Sequence, residues 1–359
     1  MSEKHIPGVN TPFHSDFLHA VDTFGSLPWQ RMAGQNILVL GASGLVGSAL
    51  VDMLMLAADR HGSGTPWHVW AAVRNEQRAC QRFKSYADSG NFHIVRVDVM
   101  QADSFPEGHF HYIVNAASGA TPSVFASDPI SVMCSNFIGT DNLLRWVCEK
   151  QSDAKVVYIS SGEVYGETDG RIVTEDYSGY VLTTDPRSCY PSSKRATETL
   201  CACYAKQHGV DISIARLCHV YGPGFTESDN RVYAQFIRNV LRGEDIVMKS
   251  TGEKYRSWLY VVDCASALLH IMLMGMKGMA YNVANEESCV TIRHLAETIA
   301  SLAHCKVVID LPADEAATGG TPITRSIFST ARLMQLGWRP MTDLQTGLQH
   351  TIEELRSQM

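Results

Sequence analysis

The sequence predicts an α/β fold, in which a doubly wound parallel sheet is followed by a smaller C-terminal lobe. Apolar runs of strand length alternate with segments of helical periodicity between about residues 35 and 216. This alternation is typical of a parallel sheet with helices on both faces. In addition, a loop with three glycines joins the first strand to the helix that follows it. Functional groups are therefore expected beyond the carboxyl ends of the strands.

The first strand, 36–40, enters the glycine-rich loop 41–47, GASGLVG, and then a helix. Gly41 permits a tight turn, Gly44 lets the backbone approach a pyrophosphate, and Gly47 lets helix and strand pack closely. The free amide groups at the start of the helix attract an anion. We expect a Rossmann-type domain, although an ordinary βα turn remains the alternative. The predicted cofactor-binding residues of this loop are Gly41, Ser43, Gly44, Leu45, Val46 and Gly47.

Composition limits the class of protein. The chain has 359 residues, is 45% apolar and carries a net charge of −7 without a long basic run. These values predict a globular protein that binds neither nucleic acid nor membrane. No window is long and apolar enough for a membrane span, and the N-terminus is unlike a signal peptide. The ten cysteines show no metal-binding spacing, so we expect no metal and reduced thiols in a cytoplasmic protein.

Three regions follow from the same patterns. Residues 1–34 form an N-terminal extension with scattered prolines and aromatic residues, expected to lie against the main domain or a partner. Residues 35–216 form the dinucleotide-binding domain, to which part of 257–290 is expected to return. Residues 217–359 mainly form the substrate lobe, because the alternation loosens there and loops rich in Gly and Pro appear.

The ends of the second, third and fourth strands add candidate cofactor contacts. Arg74 follows strand 67–73 at the place where an acid normally meets the ribose 2′-hydroxyl. A cofactor with a 2′-phosphate is therefore left open, as is a solvated Arg. Asp98 and Val99 follow strand 92–97, where the acid can meet adenine. Strand 112–115 leads into small residues that let a dinucleotide lie against the backbone, namely Ala116, Ala117 and Ser118.

A second group of residues carries chemistry. Tyr190 and Lys194 are four residues apart in a segment of helical composition, which places them on one helix face. A nearby cation lowers the pKa of a phenol and makes it a usable general base. Ser161, at the end of strand 155–159, completes this group.

With these motifs in place, the chain resembles the extended short-chain dehydrogenase/reductase family, specifically its nucleotide-sugar epimerases, dehydratases and decarboxylases. The resemblance covers roughly residues 35–355. It rests on GASGLVG at 41–47, SSGEVYG at 160–166, YPSSK at 190–194, RSWLYVVD at 256–263 and LGW at 336–338. It implies a bound NAD, with NADP left open by Arg74, that oxidises C4 of the sugar. Tyr190 would be the base, Ser161 its helper, and Lys194 both a pKa tuner and a ribose ligand.

The resemblance also implies which reaction follows oxidation. Glu163 matches the Glu of dehydratases and decarboxylases, because a carboxylate at that place can remove the acidified C5 proton of a 4-keto sugar; a loop-capping role is the alternative. Dehydratases usually have an acid or hydroxyl before it, where this chain has Gly162. A 4-keto uronic acid loses CO₂ without a departing hydroxyl. Decarboxylation of a UDP-uronic acid is therefore favoured, because several stretches resemble UDP-glucuronate decarboxylases, and 4-epimerisation and 4,6-dehydration are the alternatives.

The remaining substrate contacts come from the same resemblance. Arg231 matches an Arg beside the sugar carboxylate, with a diphosphate or surface role as the alternative. His219 stands where the family usually has an Asn near the sugar phosphate. Arg256 and Arg325 match residues that clamp the diphosphate, where an intramolecular ion pair is the alternative. We expect a homodimer. A non-catalytic dinucleotide sensor is the hypothesis of a different class, but Ser161, Tyr190 and Lys194 are all present.

Overall fold

A parallel sheet of seven strands forms the centre of the structure, a computed structural model that describes residues 11–62, 64–227, 229–311 and 324–359. The strands are β1 (Asn36–Leu40), β2 (His68–Val73), β3 (Phe92–Arg96), β4 (Tyr112–Asn115), β5 (Lys155–Ser161), β6 (Ile172–Val173), β7 (Asp211–Leu217), β8 (His219–Tyr221), β9 (Ile246–Met248), β10 (Tyr255–Tyr260), β11 (Ala280–Val283), β12 (Cys289–Thr291), β13 (Val307–Ile309) and β14 (Arg325–Phe328).

The helices cover both faces of this sheet. They are α1 (Pro12–Thr23), α2 (Leu45–His61), α3 (Glu76–Arg82), α4 (Pro122–Ser127), α5 (Pro129–Lys150), α6 (Cys189–Gln207), α7 (Val232–Leu241), α8 (Val261–Met274), α9 (Ile292–Leu302), α10 (Ala331–Met334) and α11 (Leu344–Ser357). Short 3₁₀ turns at Gly162–Tyr165 and Pro186–Ser188 lie beside the candidate site.

The strand order confirms the predicted fold class. The large sheet has the order β11-β7-β5-β4-β1-β2-β3, and all its neighbouring strands are parallel. The order reverses between β1 and β4, which is where a doubly wound sheet opens a crevice for a ligand. The strands predicted at 36–40 and 112–115 have the predicted bounds, and those predicted at 67–73, 92–97 and 155–159 each differ by one or two residues at one end.

The large sheet has a hydrophobic core on each face, and the side chains of β1 alternate between the two. Successive side chains of a strand point to opposite faces. Ile37 and Val39 accordingly pack with α2 and α8, whereas Leu38 and Leu40 pack with α5 and α6. Helix α8 is buried from Val261 to Leu273, as expected for a helix enclosed between the sheet and the helices α1 and α2.

The lobe after residue 217 is built on a smaller sheet. Strand β10 pairs with β12, β14 and β8, and β14 also pairs with β6. These partners lie far apart in the chain, and together they place residues 255–260 and 325–328 next to the carboxyl ends of the large sheet. Strand β11, from the same half of the chain, joins the large sheet beside β7.

The described part of the N-terminal extension lies against the body of the protein. Helix α1 packs on α2, α8 and α11. Its Asp16 carboxylate accepts a hydrogen bond from the Tyr260 hydroxyl at 2.8 Å and contacts His350 Nδ1 at 2.7 Å. Arg31 donates to the Leu273 carbonyl at 3.1 Å. Residues 1–10, also assigned to the extension, lie outside the described residues.

Candidate active site

The glycine loop lies where β1 meets the switch point of the sheet. Gly41 has a φ of +73°, and a Cβ on it would approach the Ala116 carbonyl group to 2.7 Å. A Cβ on Gly47 would lie 2.4 Å from the Gly41 carbonyl oxygen. Both positions therefore exclude a side chain, because one is a left-handed turn and the other a close contact between helix and loop.

The side of the loop that faces outward is open. The nearest atom to a Cβ built on Gly44 is the Gly41 carbonyl oxygen, at 3.4 Å, and α2 begins directly after Gly44 without a side-chain cap. The first amides of α2 thus remain available to an anion. Ser43, Leu45 and Val46 lie on the same loop and first turn.

A polar cavity of about 360 Å³ lies at the carboxyl ends of β2 and β3. Its lining residues are Arg74, Arg96, Asp98, Gln101, Asp103 and Ser104. The cavity, the glycine loop and the small residues Ala116 and Ala117 after β4 all lie at the carboxyl ends of the strands of the large sheet. Together they fit a dinucleotide in size and polarity.

Tyr190 and Lys194 lie on α6 and are buried, with 7% and 2% of their surface exposed. Ser161, at the end of β5, lies close enough to the Tyr190 hydroxyl to lower its pKa. The Lys194 ammonium donates to the Ile159 carbonyl at 2.8 Å and lies 5.8 Å from the centre of the Tyr190 ring. The three residues expected to act together are therefore adjacent.

The electrostatics of this group differ from the expectation. Burial, followed by the charge of Glu163, raises the pKa of Tyr190, and the interactions with Ser161, Arg231 and Arg187 only partly offset this. Burial also lowers the pKa of Lys194 to about 7. The pKa of Tyr190 is thus raised rather than lowered as expected, because desolvation outweighs the groups that stabilise the phenolate, Ser161, Arg231 and Arg187.

Glu163 is paired with an arginine that sequence reasoning missed. It lies on the 3₁₀ turn after β5, where its amide donates to Ser161 Oγ at 3.2 Å. Both its carboxylate oxygens accept hydrogen bonds from Arg187, each at 3.1 Å. The available signal was the position of Arg187 three residues before Tyr190, in a turn that leads into the same helix.

Gly162, directly before Glu163, has no space for a side chain. A Cβ on Gly162 would lie 2.3 Å from Cζ of Phe328, a residue of β14 that is 2% exposed. Glycine at this position is therefore required by packing against the lobe.

Arg231 reaches the site but is paired with a carboxylate. Its Nε donates to both Asp229 oxygens at 3.0 Å, its Nη2 also contacts Asp229, and Nη2 donates to the Tyr233 hydroxyl at 3.2 Å. The charge of Arg231 still lowers the pKa of Tyr190 and of His219. Arg231 thus faces both residues, although Asp229 balances part of its charge.

His219 is neutral and has one unused ring nitrogen. Burial, together with Arg256 and Arg231, lowers the pKa of His219 to about 3. Its Nδ1 is buried and has no hydrogen-bond partner among the described residues. A buried polar atom without a partner is costly, so Nδ1 is a candidate contact for a bound group.

The two arginines expected at a diphosphate lie on neighbouring strands, Arg256 on β10 and Arg325 on β14. Arg256 is 3% exposed, and burial lowers its pKa to about 10, while Glu163 acts in the opposite direction. It donates to the Tyr255 carbonyl at 2.7 Å. Arg325 is exposed and lies over the Tyr255 ring.

Ser118 is held by a second residue that the sequence did not single out. Asn136, which is 1% exposed on α5, lies between Ser118 Oγ at 2.8 Å and Ser193 Oγ at 3.0 Å. Ser193 in turn donates to the Tyr190 carbonyl at 2.9 Å. The chain after β4 is thereby tied to the helix that carries Tyr190.

In the described part of the chain, no group of three or more His, Cys, Asp or Glu residues is arranged to hold a metal ion. None of its helices is both long and apolar enough to cross a bilayer. All ten cysteines lie within the described ranges and are free thiols.

The sequence matches known proteins over most of its length. Residues 37–284 match the family described as NAD dependent epimerase/dehydratase. UDP-glucuronic acid decarboxylase 6 of Arabidopsis thaliana is 32% identical over 331 residues, which are 90% of this chain and 90% of that protein. UDP-glucuronic acid decarboxylase 1 of Danio rerio is 31% identical over 320 residues, which are 89% of this chain and 72% of that protein.

Solved structures share the fold. A dTDP-glucose 4,6-dehydratase from Streptomyces venezuelae superposes with a TM-score of 0.77 at 21% identity, covering 90% of this chain and 97% of that one. A UDP-glucuronic acid 4-epimerase from Bacillus cereus, solved with UDP-glucuronic acid and NAD, has a TM-score of 0.76 at 19% identity, covering 90% and 100%. At these identities the likeness concerns the fold alone.

Proposed function

The chain belongs to the NAD dependent epimerase/dehydratase family, and on that premise we propose that it decarboxylates a UDP-linked uronic acid to a UDP-pentose and CO₂. Two relatives named UDP-glucuronic acid decarboxylase, similar over 89% and 90% of the chain, support this substrate. The packing of Gly162 against Phe328 argues against dehydration in particular, because it leaves no room for a proton donor beside Glu163.

Bound NAD supplies the oxidant for C4 of the sugar and later returns the same electrons. The residues that would hold it lie along the open edge of the sheet. They are the loop 41–47, Arg74, Asp98, Val99, Ala116 and Ala117, with Tyr190 and Lys194 near the reacting end.

Tyr190 would take the proton of the C4 hydroxyl. Ser161 lies close to the Tyr190 hydroxyl and would therefore bond the same sugar oxygen. Lys194 would bind the ribose and add positive charge below the phenol ring. Because burial raises the pKa of Tyr190, the base becomes effective only when positive charge is brought to it.

Decarboxylation requires less of the site than dehydration does. Once C4 is a ketone, it lies β to the C6 carboxylate, and the bond between C5 and C6 breaks with its electrons moving toward the ketone oxygen. No hydroxyl departs, so no acid is needed at position 162. Glu163 would then guide the proton that C5 takes up.

The charges near Tyr190 suit an anionic sugar. Arg231 and Arg187 both act on its hydroxyl. We place the uronate carboxylate beside Arg231 and the diphosphate beside Arg256 and Arg325, with His219 Nδ1 and Ser118 as further contacts. Cations at these positions can form charge-assisted contacts with the carboxylate and the diphosphate of the bound sugar nucleotide.

A 4-epimerase is the second candidate, and the pairing of Glu163 with Arg187 favours it. Both carboxylate oxygens accept from Arg187, so Glu163 is engaged when no sugar is bound. Chemistry confined to C4 would need only Ser161, Tyr190 and Lys194.

Product mass separates these reactions. The holoenzyme is incubated with UDP-glucuronic acid and, separately, with UDP-glucose. Decarboxylation lowers the mass of the first product by one CO₂ and leaves the second sugar unprocessed. Loss of one water from UDP-glucose would identify a dehydratase, and equal mass with a changed sugar configuration would identify an epimerase; either result contradicts the proposal.

We further propose a homodimer that forms through α5 and the neighbouring α6. Apolar side chains on α5 are exposed along one stripe, namely Ile130, Met133, Phe137 and Ile138, which are 40% to 75% exposed. Such a surface is typical of an interface. Sedimentation of the wild type and of Phe137→Glu tests this, because a monomer in both would contradict it.

The division of labour along the chain is proposed from the same placement. Residues 35–216, with β11 from the segment 257–290, would bind the dinucleotide, and residues 217–359 would mainly bind the nucleotide sugar. We place the protein in the cytoplasm, where its ten free thiols stay reduced.

A further inference from the structure

A continuous set of contacts joins Glu163 to Tyr190 through two other side chains. Arg187 donates from both terminal nitrogens to the Glu163 carboxylate, each at 3.1 Å. The Arg187 guanidinium lies 4.9 Å from the centre of the Phe125 ring. The Phe125 ring is stacked on the Tyr190 ring, with centres 4.6 Å apart and planes 22° apart. Glu163 and Tyr190, the two groups proposed for proton transfer, are therefore connected through Arg187 and Phe125.

The backbone before α6 fixes where the Arg187 side chain starts. Asp185 caps the 3₁₀ turn Pro186–Ser188, and its Oδ1 accepts the Arg187 amide at 2.9 Å. Pro186 occupies the first position of this turn, and α6 begins directly after it. A turn that is capped, begins with proline and is continuous with a helix has little freedom. Arg187 is thus rigidly connected to Tyr190, three residues later.

The Phe125 side chain is also fixed in position, in this case by packing. It lies on α4, is 4% exposed and packs with Val132 and Cys189, which are 1% and 5% exposed. A guanidinium over an aromatic face is attracted by the negative charge of the ring. Offset stacking of two aromatic rings also has a preferred geometry. The position of Arg187 therefore restricts the Phe125 ring and, through it, the plane of the Tyr190 ring.

We propose that Arg187 is a positioning residue, which holds the Glu163 carboxylate in one orientation and keeps the Tyr190 ring in one plane. The inference rests on the proposed function, because it takes Glu163 and Tyr190 to be the proton-transfer groups. Arg187 needs no contact with the sugar for this role. A planar fork that meets both carboxylate oxygens fixes direction as well as distance, which a lysine cannot do.

The charges around Tyr190 predict the direction in which its pKa changes when Arg187 is removed. The groups that face it from the surrounding elements are Tyr158, Glu163, Arg187, Lys194 and Arg231. Glu163 raises the pKa of Tyr190, whereas Arg231 and Arg187 lower it. Without Arg187 the negative charge of Glu163 is no longer balanced at close range. The pKa of Tyr190 then rises further, and the rise of kcat with pH moves to more alkaline pH.

The first experiment compares Arg187→Gln with wild type as NAD-bound, full-length protein. We expect kcat with UDP-glucuronic acid to fall on the order of ten- to hundredfold, while KM changes by less than about twofold. Tyrosine labelled with carbon-13 at Cζ reports the Tyr190 ring directly, after its resonance is assigned by its loss in Tyr190→Phe. In Arg187→Gln this resonance shifts and titrates at higher pH. Arg171→Gln, an exposed arginine paired with Asp169, removes the same charge and should change neither quantity.

Two further variants separate positioning from other roles. Arg187→Lys keeps the charge without the fork, so its Tyr190 resonance should titrate as in wild type while kcat stays reduced. It also serves if Arg187→Gln does not fold. In the double variant with Glu163→Gln, the loss of kcat should be smaller than the product of the two single losses, because Arg187 acts through Glu163.

The contrary outcomes are equally specific. An unchanged kcat together with an unchanged Tyr190 resonance in Arg187→Gln overturns the proposal. A large rise in KM at constant kcat would make Arg187 a substrate ligand instead and also overturns it. If the wild type releases no CO₂ from UDP-glucuronic acid, the proposed function fails, yet the resonance of Tyr190 in the NAD-bound protein still decides the role of Arg187.

Discussion

Gly162 lies directly against the ring of Phe328. A Cβ on Gly162 would approach Cζ of that ring to 2.3 Å and two further ring atoms to about 3 Å. Phe328 is enclosed in a small cluster with Val164, Tyr165 and Val173, all of which are buried. The ring thus has no space to move away. The position beside Glu163 is closed to side chains by the lobe that carries β14.

Gly162→Ser should lower the free energy of unfolding by about 1–3 kcal/mol, since overpacking forces a well-packed ring to shift. Urea denaturation monitored by fluorescence measures this. Gly90→Ser is the matched control, because a Cβ at Gly90 meets no atom within 4 Å and its φ is not in the left-handed region. Equal stability of Gly162→Ser and wild type would show that Phe328 adapts, and would reopen dehydration as the reaction.

The large sheet and the glycine loop could be predicted from the sequence because their signals are local. Strand length, alternation and the turn residues of 36–47 all lie within a few residues of one another. The sheet of the lobe could not, because β10 pairs with strands from three other parts of the chain, namely β8, β12 and β14. The same reason applies to the docking of α1 through Asp16 on Tyr260 and His350.

The candidate site was likewise predictable only in part. Ser161, Tyr190 and Lys194 follow from motifs, and the structure brings them together. The pairing of Arg187 with Glu163 joins residues 24 positions apart and leaves no periodic signal. The raised pKa of Tyr190 depends mainly on burial, which is a property of the whole fold. Spacing alone indicated the nearby Lys194 but not the larger cost of desolvation.

Tyr190→Phe should reduce turnover on the order of a hundredfold or more while NAD binding is retained, because only the proton-transferring hydroxyl is lost and the ring still stacks on Phe125. Steady-state kinetics and equilibrium titration with NAD measure the two effects. Tyr180→Phe, at a side chain 60% exposed, controls for the loss of a phenol hydroxyl. Turnover near the wild-type rate would remove Tyr190 from the mechanism.

The cofactor prediction is NAD over NADP. A reaction that returns its own electrons gains nothing from a reduced NADPH pool, although Arg74 and Arg96 both line the cavity at the adenosine end. Equilibrium binding of both cofactors to wild type and Arg74→Ala measures this preference. Arg74→Ala should leave NAD affinity unchanged. Tighter binding of NADP by about tenfold or more, lost in Arg74→Ala, would instead make Arg74 a ligand of the 2′-phosphate.

Asp263 should make stability depend on pH. Burial raises the pKa of Asp263 from 3.8 to about 7, although the amides of Met341 and Thr342 donate to its carboxylate. The folded protein therefore holds a proton that the unfolded chain releases between these pH values. The stabilisation is complete below the unfolded pKa and is lost as pH rises to about 7, by at most about 1.4 kcal/mol per pH unit.

Asp263→Asn removes the titrating carboxyl group. As pH rises from about 4 to 7, the wild type should therefore lose unfolding free energy relative to the variant. Urea denaturation at a series of pH values, without cofactor, gives both curves. Parallel curves for the two proteins between about pH 4 and 7 would mean that Asp263 is ionised throughout.

The role of Arg231 can be separated from that of a general phosphate ligand by the sugar it recognises. If it neutralises the uronate carboxylate, Arg231→Ala loses a charge-assisted contact of about 1.5–3 kcal/mol, roughly ten- to hundredfold in Kd, with UDP-glucuronic acid only. Binding of UDP-glucose should change little. Calorimetric titration of both sugars measures this in the NAD-bound Tyr190→Phe background, which prevents turnover. Arg238→Ala is the control for the loss of an arginine nearby, because Arg238 lies on α7 and, among the described residues, donates only to two backbone carbonyls, those of Thr226 and Asp229. Equal weakening of both sugars would make Arg231 a diphosphate ligand and withdraw the main electrostatic support for a uronic acid substrate.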